Sequence, residues 1–271
     1  MLESLLLVAC LAAPGPAVEP TADPAPATAT ARRSDATIEE VSFAASDKTE
    51  LHGSFYVPKG SGRAPAALLV HGAGSDRSSL EGPADALWKA GYAVLTLDLR
   101  GHGDSIDEPE DAFAKLEDDE DKARAWAFAT RDVEAAARWL RGNKRVHTSN
   151  LTVVGVAEGS ALAVRQAVND ENVRAIALVA PKREMLGFDL TEDLMELEGL
   201  PTHLFASRES RGETQELAEE IHEELGCKEF IEVSVTKAKK DAEIVAEKRF
   251  PSSLSRPLKA IAFPKRGGSR R

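Results

Sequence analysis

Apolar and polar positions follow two different periods along the chain, and the changeover points outline its elements. From about Ile38, the runs TIEEVSFAAS (Thr37–Ser46) and ELHGSFYVP (Glu50–Pro58) alternate on either side of the turn-like Asp47-Lys48, which predicts an antiparallel pair. PAALLVHGAG (Pro65–Gly74) and AVLTLDLRGHGDS (Ala93–Ser105) are continuous apolar runs that end in glycine-rich loops, the pattern of strands buried on both faces. Between them, Leu80, Ala84, Leu87 and Trp88 recur at helical spacing and Gly91 stops the helix. A long helix is expected from about Ala123 to Arg141, with Val133, Ala136, Ala137 and Leu140 on one stripe. LTVVGV (Leu151–Val156) reads as the next strand and Ser160–Asn169 as the helix after it. VRAIALVAP, PTHLFASRES and EFIEVSVT add three strands, with an amphipathic helix over Glu213–Leu225 before the last. Strands alternating with helices after an opening hairpin predict an α/β fold, a mostly parallel, doubly wound sheet covered on both faces.

The flanks lack this periodicity. SLLLVACLAA (Ser4–Ala13) is apolar but too short to span a bilayer, and LVAC (Leu7–Cys10) resembles a bacterial lipobox, although Glu3 stands where a basic start is usual. The stretch after it is rich in Pro, Ala and Thr and suits an extended tether. Residues 1–13 are therefore taken as a signal or lipoprotein segment with Cys10 as the lipidation candidate, 14–36 as a disordered linker, 37–250 as the folded domain and 251–271 as a basic C-terminal tail. Export to the periplasm or anchoring to the envelope is the expectation, with a cytoplasmic chain as the alternative. With 42% hydrophobic residues, the 271-residue chain can build a sizeable core. Its net charge of −11 opposes nucleic acid and anionic membrane surfaces, leaving the N-terminus as the membrane tether. The acidic run Asp107–Asp121 reads as a solvated face. Cys10 and Cys227 make no disulfide framework, and neither metal-ligand spacing nor a phosphate loop occurs, so no metal or cofactor is expected.

Three pieces carry a resemblance: LLVHGAG (Leu68–Gly74), LTLDLRGHGDS (Leu95–Ser105) and VVGVAEGSALA (Val153–Ala163). In this order and spacing, over roughly Ile38–Ala246, the chain resembles the α/β-hydrolase superfamily, in particular its dienelactone-hydrolase-like and serine-esterase-like branch with little or no lid. The resemblance implies an oxyanion site at Gly72, Ala73 and Gly74, with backbone N–H donors from Ala73 and Glu158. It also implies a G-x-S-x-G elbow, for which Gly155 and Gly159 supply the small flanking residues. The segment Pro181–Leu200, where relatives carry a lid, is short, so an open pocket is expected.

The side chains that acyl transfer requires do not follow. Ala157 stands where the resemblance places the nucleophile, and its methyl group cannot attack a carbonyl. Ser160, about a turn further on, reads as a helix residue. Glu209 is a weak candidate for the acid, with Ser210 the alternative occupant of that place. The loop that would carry the base, Thr236–Val245, holds Lys237, Lys239, Lys240 and Asp241 but no histidine, and no histidine follows His222. His71 and His102 belong to loop-shaping HG turns, and His52, His147 and His203 fall in strands or their approaches. Three functions stay open: a non-catalytic pseudohydrolase that binds a small molecule or a protein, an active hydrolase of ester, thioester or peptide bonds with an unorthodox group, and a structural envelope lipoprotein domain.

Overall fold

The computed structural model describes residues 31–33, 36–226 and 230–263. Cys10 with the rest of segment 1–13, most of the 14–36 linker, Cys227 and residues 264–271 lie outside them. The strands are β1 (Ala31–Arg33), β2 (Ala36–Ala44), β3 (Glu50–Tyr56), β4 (Ala64–Val70), β5 (Ala93–Leu97), β6 (Val146–Val156), β7 (Val173–Val179), β8 (Glu184–Met185), β9 (Phe188–Asp189), β10 (Thr202–Ala206) and β11 (Ile231–Val235). The helices are α1 (Glu81–Ala90), α2 (Asp119–Phe128), α3 (Thr130–Gly142), α4 (Gly159–Asn169), α5 (Leu190–Met195), α6 (Arg211–Leu225) and α7 (Phe250–Ala262).

Nine of these strands form one sheet in the order β1-β2-β3-β5-β4-β6-β7-β10-β11. The first three strands are antiparallel, as is the β3–β5 pairing, and from β5 to β11 all neighbours run parallel. The expected hairpin is β2–β3, turned at Lys48 with a φ of 74°. Period-two alternation in the central strands feeds two separate cores. Leu68 and Val70 of β4, Leu95 of β5 and Leu178 of β7 face α2 to α6. Leu69, Val94 and Val179 face the other way, against α1 and α7.

Three elements differ from expectation. The helix foreseen over Ala123–Arg141 is two helices, α2 and α3, separated at Ala129. Trp126 points its indole N–H at the carbonyl of Glu158 (3.1 Å), while Asp132 binds Arg100 through Nε (3.0 Å) and its backbone N–H (2.9 Å). Ala129 between them keeps helical dihedrals (φ −66°, ψ −11°), so the interruption is a single residue. At the start, β1 lies within the stretch read as linker, because β2 has an edge whose free N–H and C=O groups pair with the preceding chain.

At the other end, α7 occupies much of the supposed tail. Phe250, Leu254 and Leu258 form an i, i+4, i+8 stripe, all buried against the α1 face, and Pro251 sits in the first turn where its missing N–H costs nothing. Tyr92 Oη donates to the Leu258 carbonyl at 2.6 Å and fastens the helix. The short Pro181–Leu200 segment folds as the β8–β9 hairpin followed by α5. Among the described residues, no helix is long and apolar enough to cross a membrane.

Since Leu254 is 0% exposed, Leu254→Ala is expected to cost about 2–5 kcal/mol in urea denaturation. A change within about 0.5 kcal/mol, the range of surface positions, would mean that α7 does not belong to the folded unit.

Candidate functional site

Three loops meet at the C-terminal ends of β4, β5 and β6, the end of a parallel sheet where strand-to-helix turns gather. The turn after β6 is the sharpest. Ala157 has φ 48°, donates its N–H to the Val179 carbonyl (2.8 Å) and accepts from Ser160 N–H (2.9 Å), so the chain reverses into α4 within three residues. The glycines beside it are spatial necessities. A Cβ on Gly155 would lie 2.4 Å from the Gly159 carbonyl oxygen, and one on Gly159 would lie 2.4 Å from the carbonyl oxygen of His71. Small residues at both positions let the start of α4 lie directly on the end of β4.

The loop after β4 is locked to the loop after β5 by two histidines. His71, fully buried, accepts from Leu99 N–H at Nε2 (3.0 Å) and donates from Nδ1 to the Gly72 carbonyl (2.8 Å). His102 accepts from Gly74 N–H at Nε2 (3.3 Å) and donates from Nδ1 to the Arg100 carbonyl (2.9 Å). The rings stand 5.0 Å apart. Burial is the main cause that lowers both pKa values, bringing His71 down to about 4. These imidazoles are neutral at pH 7 with both nitrogens engaged by backbone. Asp98 anchors the same loop from beneath, accepting from Arg77 N–H (2.7 Å) and Asp104 N–H (2.9 Å) and pairing with the Arg77 guanidinium.

Of the residues expected at the acyl site, Gly155 and Gly159 frame the turn, while Gly74 is tied to His102. Gly72 and Ala73 face Ala157 and Glu158, as the resemblance implies for an oxyanion site. The N–H of Ala73, however, donates to Glu158 Oε2 at 3.0 Å. Sequence reading assigns Glu158 only a backbone role, and nothing in the local pattern signals that its carboxylate turns back onto a neighbouring strand's loop. Ser160 is wholly buried and its Oγ donates to the Gly155 carbonyl (3.3 Å), beneath the turn.

The remaining loops are stitched to each other. Of the two candidates for the acid, Glu209 is exposed and Ser210 is buried, its hydroxyl donating to Asp241 Oδ1 at 2.5 Å. Backbone bonds from Arg208 N–H to Ala238 O (3.0 Å) and Glu209 N–H to Lys239 O (3.1 Å) join the loop after β10 to the loop after β11. Lys237, Lys239 and Lys240 are exposed, and Ala238 is the buried residue among them. Cavities of about 310 Å³, lined by Arg77, Asp98 and Asp104, and about 280 Å³, lined by Arg100, Ser105 and Phe113, flank the loop after β5; neither is lined by Ala157 or Glu158. Among the described residues, no group of three or more His, Cys, Asp or Glu side chains could hold a metal ion.

Comparison with known proteins agrees with this architecture. Residues 67–242 match the profile described as the alpha/beta hydrolase family. An uncharacterized protein of Mycobacterium tuberculosis is 32% identical over 117 residues, which is 43% of this chain and 36% of that protein. The chain therefore matches only about a third of that curated relative's length. Among solved structures, an esterase of Pyrococcus furiosus superposes with a TM-score of 0.63 at 17% identity, covering 83% of this chain and 91% of that one. A cold-adapted esterase from an Arctic intertidal metagenomic library gives 0.66 at 17% identity, with coverages of 86% and 97%. The dienelactone hydrolase of Anabaena variabilis gives 0.63 at 18% identity, with coverages of 84% and 97%. At these identities the likeness is one of fold.

Two outcomes follow from the geometry. Because an alanine in the left-handed region is strained and glycine is not, Ala157→Gly should stabilise the chain by about 1 kcal/mol in chemical denaturation; a loss would show the turn to be relaxed. For His71, the folded pKa of about 4 lies below the ordinary 6.5. The unfolded chain takes up a proton that the folded chain refuses, so stability is intact above about pH 6.5 and falls by about 3 kcal/mol towards pH 4. In His71→Asn the decline over that window should be shallower, and an unchanged slope would exclude the histidine as its source.

Proposed function

Because the chain belongs to the alpha/beta hydrolase family, we propose that it is a non-catalytic member that keeps the acyl-site scaffold for binding a small molecule or a partner protein. The observation that carries this reading is the methyl group of Ala157 at the tip of a turn still held at φ 48°. Catalysis of acyl transfer needs a nucleophile, a base in hydrogen-bond contact with it, and an acid that orients the base. The position at the tip has no reactive atom. Ser160, the hydroxyl nearest in sequence, is buried and hydrogen-bonded beneath the turn. His71 and His102 have both nitrogens committed to backbone groups. Lys237, Lys239 and Lys240 on the loop after β11 are exposed.

Magnitudes favour the same reading. Groups of a triad act as a unit, so losing one is nearly as damaging as losing all. At most an oxyanion and binding contribution of about 10³–10⁴ over water is left, against total enzymatic accelerations of about 10⁶ and more. The apolar stretch around Cys10 supports placing this domain at the cell envelope on a tether, a reading that rests on the sequence alone.

A fluorophosphonate probe tests the proposal. The wild-type chain should remain unlabelled, and Ala157→Ser should hydrolyse p-nitrophenyl acetate at a rate indistinguishable from the buffer control, since no base stands beside the new hydroxyl. Stoichiometric labelling of the wild type, or turnover by the serine variant, would overturn it.

A further inference from the structure

The Glu158 side chain stands at the start of α4 yet folds back across the turn. Its Oε2 accepts the Ala73 N–H at 3.0 Å. A Cβ built on Gly72 would lie 2.9 Å from that oxygen and 3.0 Å from the Ala157 methyl carbon. The oxygen therefore lies at the Ala73 N–H and over the bare Cα of Gly72, on the side of Gly72 that the Ala157 methyl also borders. The backbone of Glu158 is fixed independently, by the Trp126 indole on its carbonyl (3.1 Å) and by the hydrogen bond of that carbonyl to Ala161 N–H (3.2 Å). Glu158 is half-buried, so its carboxylate can swing to solvent without disturbing that backbone.

We propose that Gly72 and Ala73, beside Ala157, form a seat for one carboxylate oxygen, and that Glu158 fills it from within, closing it to small carboxylate ligands until its side chain leaves. This deepens the non-catalytic reading and rests on it: the Ala73 N–H, one of the two expected oxyanion donors, is then already taken. The chemistry of the occupant identifies the ligand class. A carboxylate oxygen already satisfies the Ala73 N–H beside Gly72, so a small monocarboxylate offers the same acceptor in the same space. Competition sets the size of the effect. If Glu158 holds the seat in about nine molecules of ten, the apparent affinity for an outside carboxylate is about tenfold weaker than that of the open seat.

The Ala73 amide resonance of the full chain reads this directly in ¹H–¹⁵N spectra recorded during a sodium acetate titration, with sodium chloride at matched ionic strength as control. Glu158→Ala should show a saturable Ala73 shift. The wild type and Glu158→Gln, whose amide oxygen still accepts from Ala73, should need at least about tenfold more acetate for half-saturation. Should the alanine variant fail to fold, Glu158→Met removes the acceptor at similar volume and takes its place. Equal responses in wild type and open-seat variant would remove the plug, and no response in any variant, or the same response to chloride, would remove the seat. Either result leaves the non-catalytic reading standing, whereas fluorophosphonate labelling overturns that reading without touching the acetate titration.

Discussion

The close approach of two backbones, the start of α4 and the end of β4, is the constraint from which the rest of this site follows. Hypothetical Cβ atoms on Gly155 and Gly159 would each come within 2.4 Å of a backbone oxygen, and real Cβ atoms do not tolerate such distances. Bringing α4 that near forces the residue between into the left-handed region, a conformation that costs a non-glycine residue about 1–2 kcal/mol. Ala157 accepts this conformation at φ 48° with no hydroxyl to position. The strain persists because the turn also orders the sheet. Ala157 N–H pairs with Val179, and the loop after β4 is packed under the first turn of α4. Relaxing the turn would disturb β4, β6 and β7 together.

Hydrogen bonding around that turn is directed at the backbone. His71 and His102 each join two loops by their paired nitrogens, Asp98 gathers the amides of Arg77 and Asp104, and Glu243 and Glu247 tie the amides of Lys239, Lys240, Lys237 and Ala238. Groups that could transfer protons are used to hold loop shape, and burial keeps the imidazoles uncharged. Ser210 and Asp241 do the same between the loops after β10 and β11, where a hydroxyl donor meets a carboxylate acceptor. The proposed seat is a further instance: the N–H that would meet a ligand oxygen meets Glu158.

Much of this was legible from residue order. Two-period patterning located the parallel strands, the elbow was marked by glycines flanking Ala157, and Gly91 closed α1 as expected, in a left-handed conformation. The departures share a physical cause. Helices α2 and α3 are each held by a partner distant in sequence, Arg100 for Asp132 and Glu158 for Trp126. Helix α7 forms because its sparse stripe of Phe250, Leu254 and Leu258 finds an apolar face on α1, and a stripe so diluted by serine, proline and lysine looks like a tail until that face is known.

Sequence by itself determined the sheet class, the glycine-framed turn and the identity of the residue at its tip, because periodicity, steric size and the presence or absence of a reactive atom are properties of the residues in order. Tertiary structure alone decided which polar groups meet. Whether Glu158 points to solvent or to the Ala73 amide, and whether an imidazole is a base or a loop tie, depends on distances between segments 28 to 85 residues apart. Local pattern does not encode those distances; the packing of β4, β5 and α4 sets them.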